Sequence, residues 1–171
     1  GEIALCILSA INIGKIRDFS DFELLCDLSV RSLDELIDFQ QYPVRAAEIA
    51  TKARRSLGVG FIGLAHYLAK QGVKYDDPKA WQLIHDLTES FQYNLLKATV
   101  NLAKEKGACE YSDNTKYSHG ILPIDTYKKD VDELVPNNLK CDWESLREEV
   151  KEYGVRTVSY THLRAHETPL H

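Results

Sequence analysis

The sequence predicts a mostly α-helical chain built around one or a few buried strands. Three observations predict it. The first thirteen residues, Gly1 to Ile13, are almost continuously apolar and are followed by Gly14. From Ser20 onward, apolar residues recur at steps of three and four, the spacing of a single helical face. Asp, Pro and Gly punctuate those stretches where helices start and stop.

The opening run is too apolar for an exposed surface and too short to cross a membrane. With Ile3, Ile7 and Ile11 it reads as a strand buried on both faces, the kind found in parallel sheets beneath helices. Cys6 lies at its centre. A buried strand must pair its backbone groups, and the remainder, read as helical, supplies few partners. The chain is therefore expected to be a piece of something larger.

Ser20 or Asp21 opens the first helix, with Phe22, Leu25, Cys26, Ser29, Leu33, Leu36 and Ile37 on one face and Asp34 among the polar remainder. Pro43 breaks it, and a short Ala-rich helix runs through Lys52 and Ala53. The segment from Leu57 to Leu64 has G-x-G-x-x-G spacing at Gly58, Gly60 and Gly63, but it lacks the Lys-Ser/Thr of a phosphate loop and a βαβ context. It reads instead as the close-packing part of a helix continuing through Tyr67 and Leu68. Gly72 caps that helix. Asp77 and Pro78 then open the longest element, about Lys79 to Lys106, with Trp81, Ile84, Leu87, Phe91, Leu95, Ala98 and Leu102 as its apolar stripe and Gly107 as its stop. Ala108 to Gly120 reads as polar and turn-rich, and Gly120 to Asp130 as an extended loop in which Asp125 and Thr126 could cap a short turn. Asp142 opens a last helix, Trp143 to Tyr153, with Trp143, Leu146 and Val150 inward and Gly154 at its end.

Composition narrows the function classes. At 171 residues, 44% hydrophobic and 27% charged, this is soluble globular material of about one domain. A net charge of -5 leaves no basic footprint for nucleic acid, and no run of about 18 apolar residues suggests a membrane span. Cys6, Cys26, Cys109 and Cys141 are widely spaced without CxxC or CxxH pairing, which argues against zinc and a disulfide scaffold and for reduced, cytoplasmic thiols. No cofactor or metal site is expected. His66 and His85 carry no ligand pattern, and His162, His166 and His171 are given no metal role despite the His-x-x-x-His spacing. On its own, Cys26 reads as core packing, and so does Cys6.

Five segments carry a resemblance: Gly1-Glu-Ile-Ala-Leu-Cys6, Leu57-Gly-Val-Gly60, Leu102-Ala-Lys-Glu-Lys-Gly-Ala108, Gly120-Ile-Leu-Pro-Ile-Asp-Thr-Tyr127 and Asp142-Trp-x-x-Leu-x-x-x-Val-x-x-x-Gly-Val-Arg156. In this order and at these spacings they resemble the large, catalytic subunit of class I ribonucleotide reductases over residues 1–156. The resemblance implies part of a ten-stranded α/β barrel, and reduction of ribonucleoside diphosphates to 2′-deoxyribonucleoside diphosphates for DNA synthesis. In such enzymes a thiyl radical on a finger loop abstracts the 3′ hydrogen. The 2′ hydroxyl leaves as water, and a cysteine pair gives up two electrons and becomes a disulfide. By position in its motif Cys6 matches one member of that pair, which reverses its reading from packed thiol to catalytic residue.

The same resemblance implies partners: a radical-generating, metal-containing small subunit, nucleotide effectors, thioredoxin or glutaredoxin as reductant, and a second large subunit. The radical cysteine in its Asn-x-Cys-x-Glu pattern, the partner of Cys6 and the phosphate loop are expected outside this chain, so the chain alone is expected to be inactive. Residues 157–171 depart from the family and read like a translated sequencing adapter. The alternative is a freestanding helical interaction module without catalytic activity. A third idea, a thiol redox protein using Cys6, is disfavoured because no resolving cysteine stands near it in sequence.

Overall fold

Only half of the apolar opening run is strand. In the computed structural model, which describes residues 1–3 and 5–157, β1 spans Ile7–Asn12. It is followed by α1 (Asp21–Phe39), α2 (Arg45–Arg54), β2 (Leu57–Ile62), α3 (Leu64–Lys70), α4 (Pro78–Lys106) and α5 (Trp143–Tyr153). Short 3-10 turns fill residues 112–133.

The strand β2 corrects the expected helix. Leu57 to Ile62 pairs in parallel with β1, in the register Ile7↔Leu57 through Asn12↔Ile62. The helix begins only after Gly63, whose φ of 83° ends the strand and admits no ordinary side chain. Leu57, Val59 and Phe61 alternate with Gly58 and Gly60, and that period of two is a strand's.

Among the described residues the sheet is covered on one face only, which corrects the reading of β1 as buried on both. Ile7, Ser9 and Ile11 turn toward the helices, while Leu8, Ala10 and Asn12 are exposed. Against the covered face, α1 packs on both strands and α4 packs on α1. Phe91 of α4 bolts these layers together. Its ring meets Phe22 of α1 at 5.5 Å and Phe61 of β2 at 5.4 Å, both edge-on. Cys26 is fully buried there, its Sγ 3.9 Å from the Phe91 carbonyl, and burial pushes its thiol up to about 12.

The helix ends follow the expected signals. Asp77 accepts a hydrogen bond from the Lys79 amide at 2.9 Å, with Pro78 in the first turn. Asp142 accepts from the Ser145 amide at 3.1 Å. Gly107 and Gly154, with φ of 84° and 67°, close α4 and α5. On α4, Leu87, Phe91, Leu95, Ala98 and Leu102 are buried as expected, and on α5 so are Trp143, Leu146 and Val150.

One polar residue behaves otherwise. Asp34, expected on the solvent side of α1, is fully buried. Arg55 Nε donates to its carboxylate at 2.5 Å and Arg156 Nε at 3.2 Å, while Arg55 also grips Asp38. Arg55 holds a left-handed φ of 50° to do so. The cluster ties α1, the end of α2 and the segment after α5 into one unit. Thr157 is buried beside it in sequence, its amide donating to Thr99 Oγ1 at 3.0 Å. Residues 158–171, including His162, His166 and His171, lie outside the described residues.

Candidate functional site

The uncovered face of the sheet carries the one thiol that solvent reaches freely. Cys6 immediately precedes β1 and is exposed; Cys26 and Cys109 are buried and Cys141 is half-buried. All four are thiols. Strand alternation places Cys6 on the same side as Leu8 and Ala10, away from α1. The expectation of a thiol at the middle of a buried strand is thus corrected. Cys6 sits at the strand's start, on a face that β2 and the helices do not cover.

Glycines bare this face. A Cβ added to Gly58 would lie 2.8 Å from Leu8 Cδ2 and 3.8 Å from Cys6 Sγ, so Gly58 is next to both. A Cβ on Gly60 would meet nothing within 4 Å. Two side chains are therefore missing from β2 where they would stand beside Cys6 and Ala10. The result is a shallow floor of backbone with a thiol at one end, which a ligand or another segment of protein can approach closely.

The segment before Cys6 is pinned. Glu2 pairs with Arg54 at 2.5 Å, and the Tyr111 hydroxyl donates to Glu2 at 3.3 Å. The Arg54 guanidinium lies 4.3 Å above the Tyr111 ring. The hydrogen bond from Arg54, helped by its charge, holds the Glu2 carboxyl below its ordinary value. Ile7 continues the fastening, its amide donating to the Ser56 carbonyl at 3.4 Å. At the other end of β1, Asn12 Oδ1 accepts from the Gly14 amide at 3.1 Å and turns the chain into the following 3-10 turn.

The remaining cysteines are chemically quieter. Burial raises Cys109, and it raises Cys141, beside Glu89, to about 11. None of the three shares the bare face with Cys6. His66 is exposed near Gly14, and His85 is half-buried with Nδ1 3.7 Å from Asp86 Oδ1. Among the described residues, no group of three or more His, Cys, Asp or Glu is placed to hold a metal ion. No described helix is long and apolar enough to cross a membrane.

Sequence reasoning singled out Cys6 and did not single out the glycines that the structure sets beside it. The signal was present in the period-two alternation of residues 57–61, which the G-x-G-x-x-G spacing obscured. The Glu2–Arg54–Tyr111 contact had no local signature, since Tyr111 stands 109 residues from Glu2.

The family described as "Ribonucleotide reductase, barrel domain" matches residues 1–163. The ribonucleoside-diphosphate reductase subunit alpha of Haemophilus influenzae is 57% identical over 98% of this chain and 22% of its own length. The subunit alpha of phage T4 is 45% identical over 91% of the chain and 20% of its own length. The ribonucleoside-diphosphate reductase 1 subunit alpha of Escherichia coli is 50% identical over 77% of the chain and 17% of its own length. The chain thus spans about a fifth of the length of the curated relatives it matches.

Proposed function

The chain belongs to the ribonucleotide reductase family, and from that premise we propose that it forms part of the catalytic barrel of a ribonucleoside-diphosphate reductase large subunit, with Cys6 as one of the redox-active cysteine pair. The observation that carries the reading is the exposed Cys6 on a sheet face stripped of side chains at Gly58 and Gly60. In a closed barrel, helices cover the outside of the sheet and ligands lie within. The face opposite α1 is then the interior, and the bare floor beside Cys6 leaves room for a sugar and the finger loop.

The chemistry balances with two thiols. A thiyl radical supplied from another part of the subunit takes the 3′ hydrogen and later returns one. The 2′ hydroxyl leaves as water after accepting a proton from one thiol. Cys6 and its partner together release two protons and two electrons, so ribonucleotide and two thiols become deoxyribonucleotide, water and a disulfide. Cys26 and Cys109 are buried and Cys141 is half-buried just before α5, so the partner belongs to a segment outside these residues. A separate metal-containing small subunit would generate the radical, as the subunit alpha names of the relatives suggest. Thioredoxin or glutaredoxin would re-reduce the pair, and the complete cytoplasmic enzyme would work as a large-subunit dimer under nucleotide effectors. Nothing favours the freestanding helical module.

The test is deoxynucleotide formation by a complete large subunit carrying this sequence. Cys6→Ser should abolish multiple turnover with cytidine diphosphate and a dithiol reductant, whereas Cys109→Ser should leave it within about twofold. The 171 residues alone should turn over no ribonucleoside diphosphate. Full turnover by Cys6→Ser would sink the assignment.

A further inference from the structure

Four consecutive residues at the junction of α2 and β2 each grip a different part of the molecule. The Ala53 carbonyl accepts the Tyr111 amide at 3.3 Å. Arg54 pairs with Glu2 at 2.5 Å and lies 4.3 Å over the Tyr111 ring, while the Tyr111 hydroxyl donates to the same carboxylate. Arg55 is buried and binds Asp34 and Asp38 of α1. The Ser56 carbonyl accepts the Ile7 amide at 3.4 Å. Residues 2 and 7 are thus fastened to one short junction, and Cys6 lies between them in sequence. We propose that Arg54 is a positioning residue for Cys6, holding the segment ahead of β1 so that the thiol stands at a fixed place on the bare face, an inference that rests on the redox role proposed for Cys6.

The junction is built to hold still. Arg55 takes a left-handed φ of 50°, a conformation that persists in a non-glycine residue only where its surroundings enforce it. The enforcement comes from buried Asp34, whose carboxylate also takes Arg156. The segment ahead of β1 has little grip of its own by contrast. Cys6 precedes the first paired residue, Ile7, and Ile3 and Leu5 are 46% and 36% exposed. Core packing therefore does not set where Cys6 stands, and polar contacts must. The Arg54 guanidinium suits that task, because it stacks flat on Tyr111, itself tied back to α2, and offers the carboxylate a planar fork. An exposed ion pair adds little to stability, so what the contact contributes is geometry. A thiol that must serve both a 2′ hydroxyl and a partner sulfur tolerates little displacement, since closing a disulfide needs Cβ atoms about 3.5–4.5 Å apart.

The test places a nitroxide on Cys6 of the 171-residue chain, with Cys141→Ser so that only the buried Cys26 and Cys109 remain as other thiols. The parent should give a slow-motion spectrum, and Arg54→Ala should lose the slow component without a change in melting temperature. Arg54→Lys keeps the charge but not the flat stack, and should fall between the two. Arg31→Ala breaks an ion pair between α1 and α4 and should leave the spectrum as it is. In a complete large subunit carrying this sequence, Arg54→Ala should lower kcat at least about tenfold, with KM for cytidine diphosphate within about twofold. Adding Glu2→Ala to Arg54→Ala should lower kcat no further. The nitroxide result reads the position of the segment whether or not Cys6→Ser abolishes turnover, so its failure is distinct from failure of the redox assignment. An unchanged spectrum in Arg54→Ala, an equal loss of the slow component in Arg31→Ala, or an unaltered kcat in the complete subunit would each overturn the proposal.

Discussion

The two faces of one small sheet obey opposite rules. Toward α1, Ile11, Leu57 and Val59 are sealed under Phe22, Phe61 and Phe91, and the packing is dense enough to bury a thiol completely. On the other side, Cys6, Leu8 and Ile62 meet solvent, and two of the three β2 residues facing that way are glycines. The covered face spends its side chains on stability. The bare face omits them, as a surface does when something else must come close. The packed core and the exposed thiol are thus separated by the thickness of a strand.

Substitutions on the two faces should diverge most in stability. Phe91→Ala removes the ring that joins α1, β2 and α4, and should destabilise by about 3–5 kcal/mol. Leu8→Ala, on the bare side, should cost less than about 1 kcal/mol. Urea denaturation of the two variants measures the gap, and equal losses would break the comparison.

A finer division lies within the bare face. Gly60→Ala meets open space and should leave stability unchanged or raise it by up to about 1 kcal/mol, through the unfolded chain's lost freedom. Gly58→Ala would press on Leu8 Cδ2 and should cost about 1 kcal/mol, because Leu8 can swing partly aside. Thermal melts in parallel would order the pair, and a cheaper change at Gly58 than at Gly60 would contradict the geometry.

The smallest effect is electrostatic and belongs to the helical side. Arg55 holds the Asp38 carboxyl low, and Arg147 does the same for Asp125, in each case chiefly through a side-chain hydrogen bond. A carboxyl depressed by folding stabilises fully above its unfolded value and loses that contribution as pH falls through the folded one. Stability should therefore decline as pH drops below about 4, by less than about 1 kcal/mol for each of these part-exposed pairs. Denaturation midpoints at pH 6, 4 and 3 would show it, and a rise in stability toward pH 3 would contradict the sign.

What could be read from sequence follows the range of each signal. Helix ends were legible because Asp77, Asp142, Gly107 and Gly154 act within a few residues of themselves. The strand β2 was not, because its partner β1 is fifty positions away and glycines weaken the alternation that marks a strand. Asp34 looked like a solvated helix residue for the same reason, since one of its two arginines stands 122 residues downstream. Cys6 was singled out through its motif alone, and its exposure had no signal in the sequence. The apolar residues around it suggested a strand covered on both sides, and only the pairing reveals which side lacks a cover.

The central claim is that the bare face carries the reactive thiol, and per-cysteine alkylation of the folded chain tests it most directly. Buried Cys26, pushed up to about 12, has a thiolate fraction at pH 8 of about one in ten thousand, behind a closed core. With iodoacetamide at pH 8 and mass-spectrometric readout, Cys6 should be labelled first and at least about 100-fold faster than Cys26, with Cys109 and Cys141 between them. Labelling of Cys6 no faster than that of Cys26 would contradict the account.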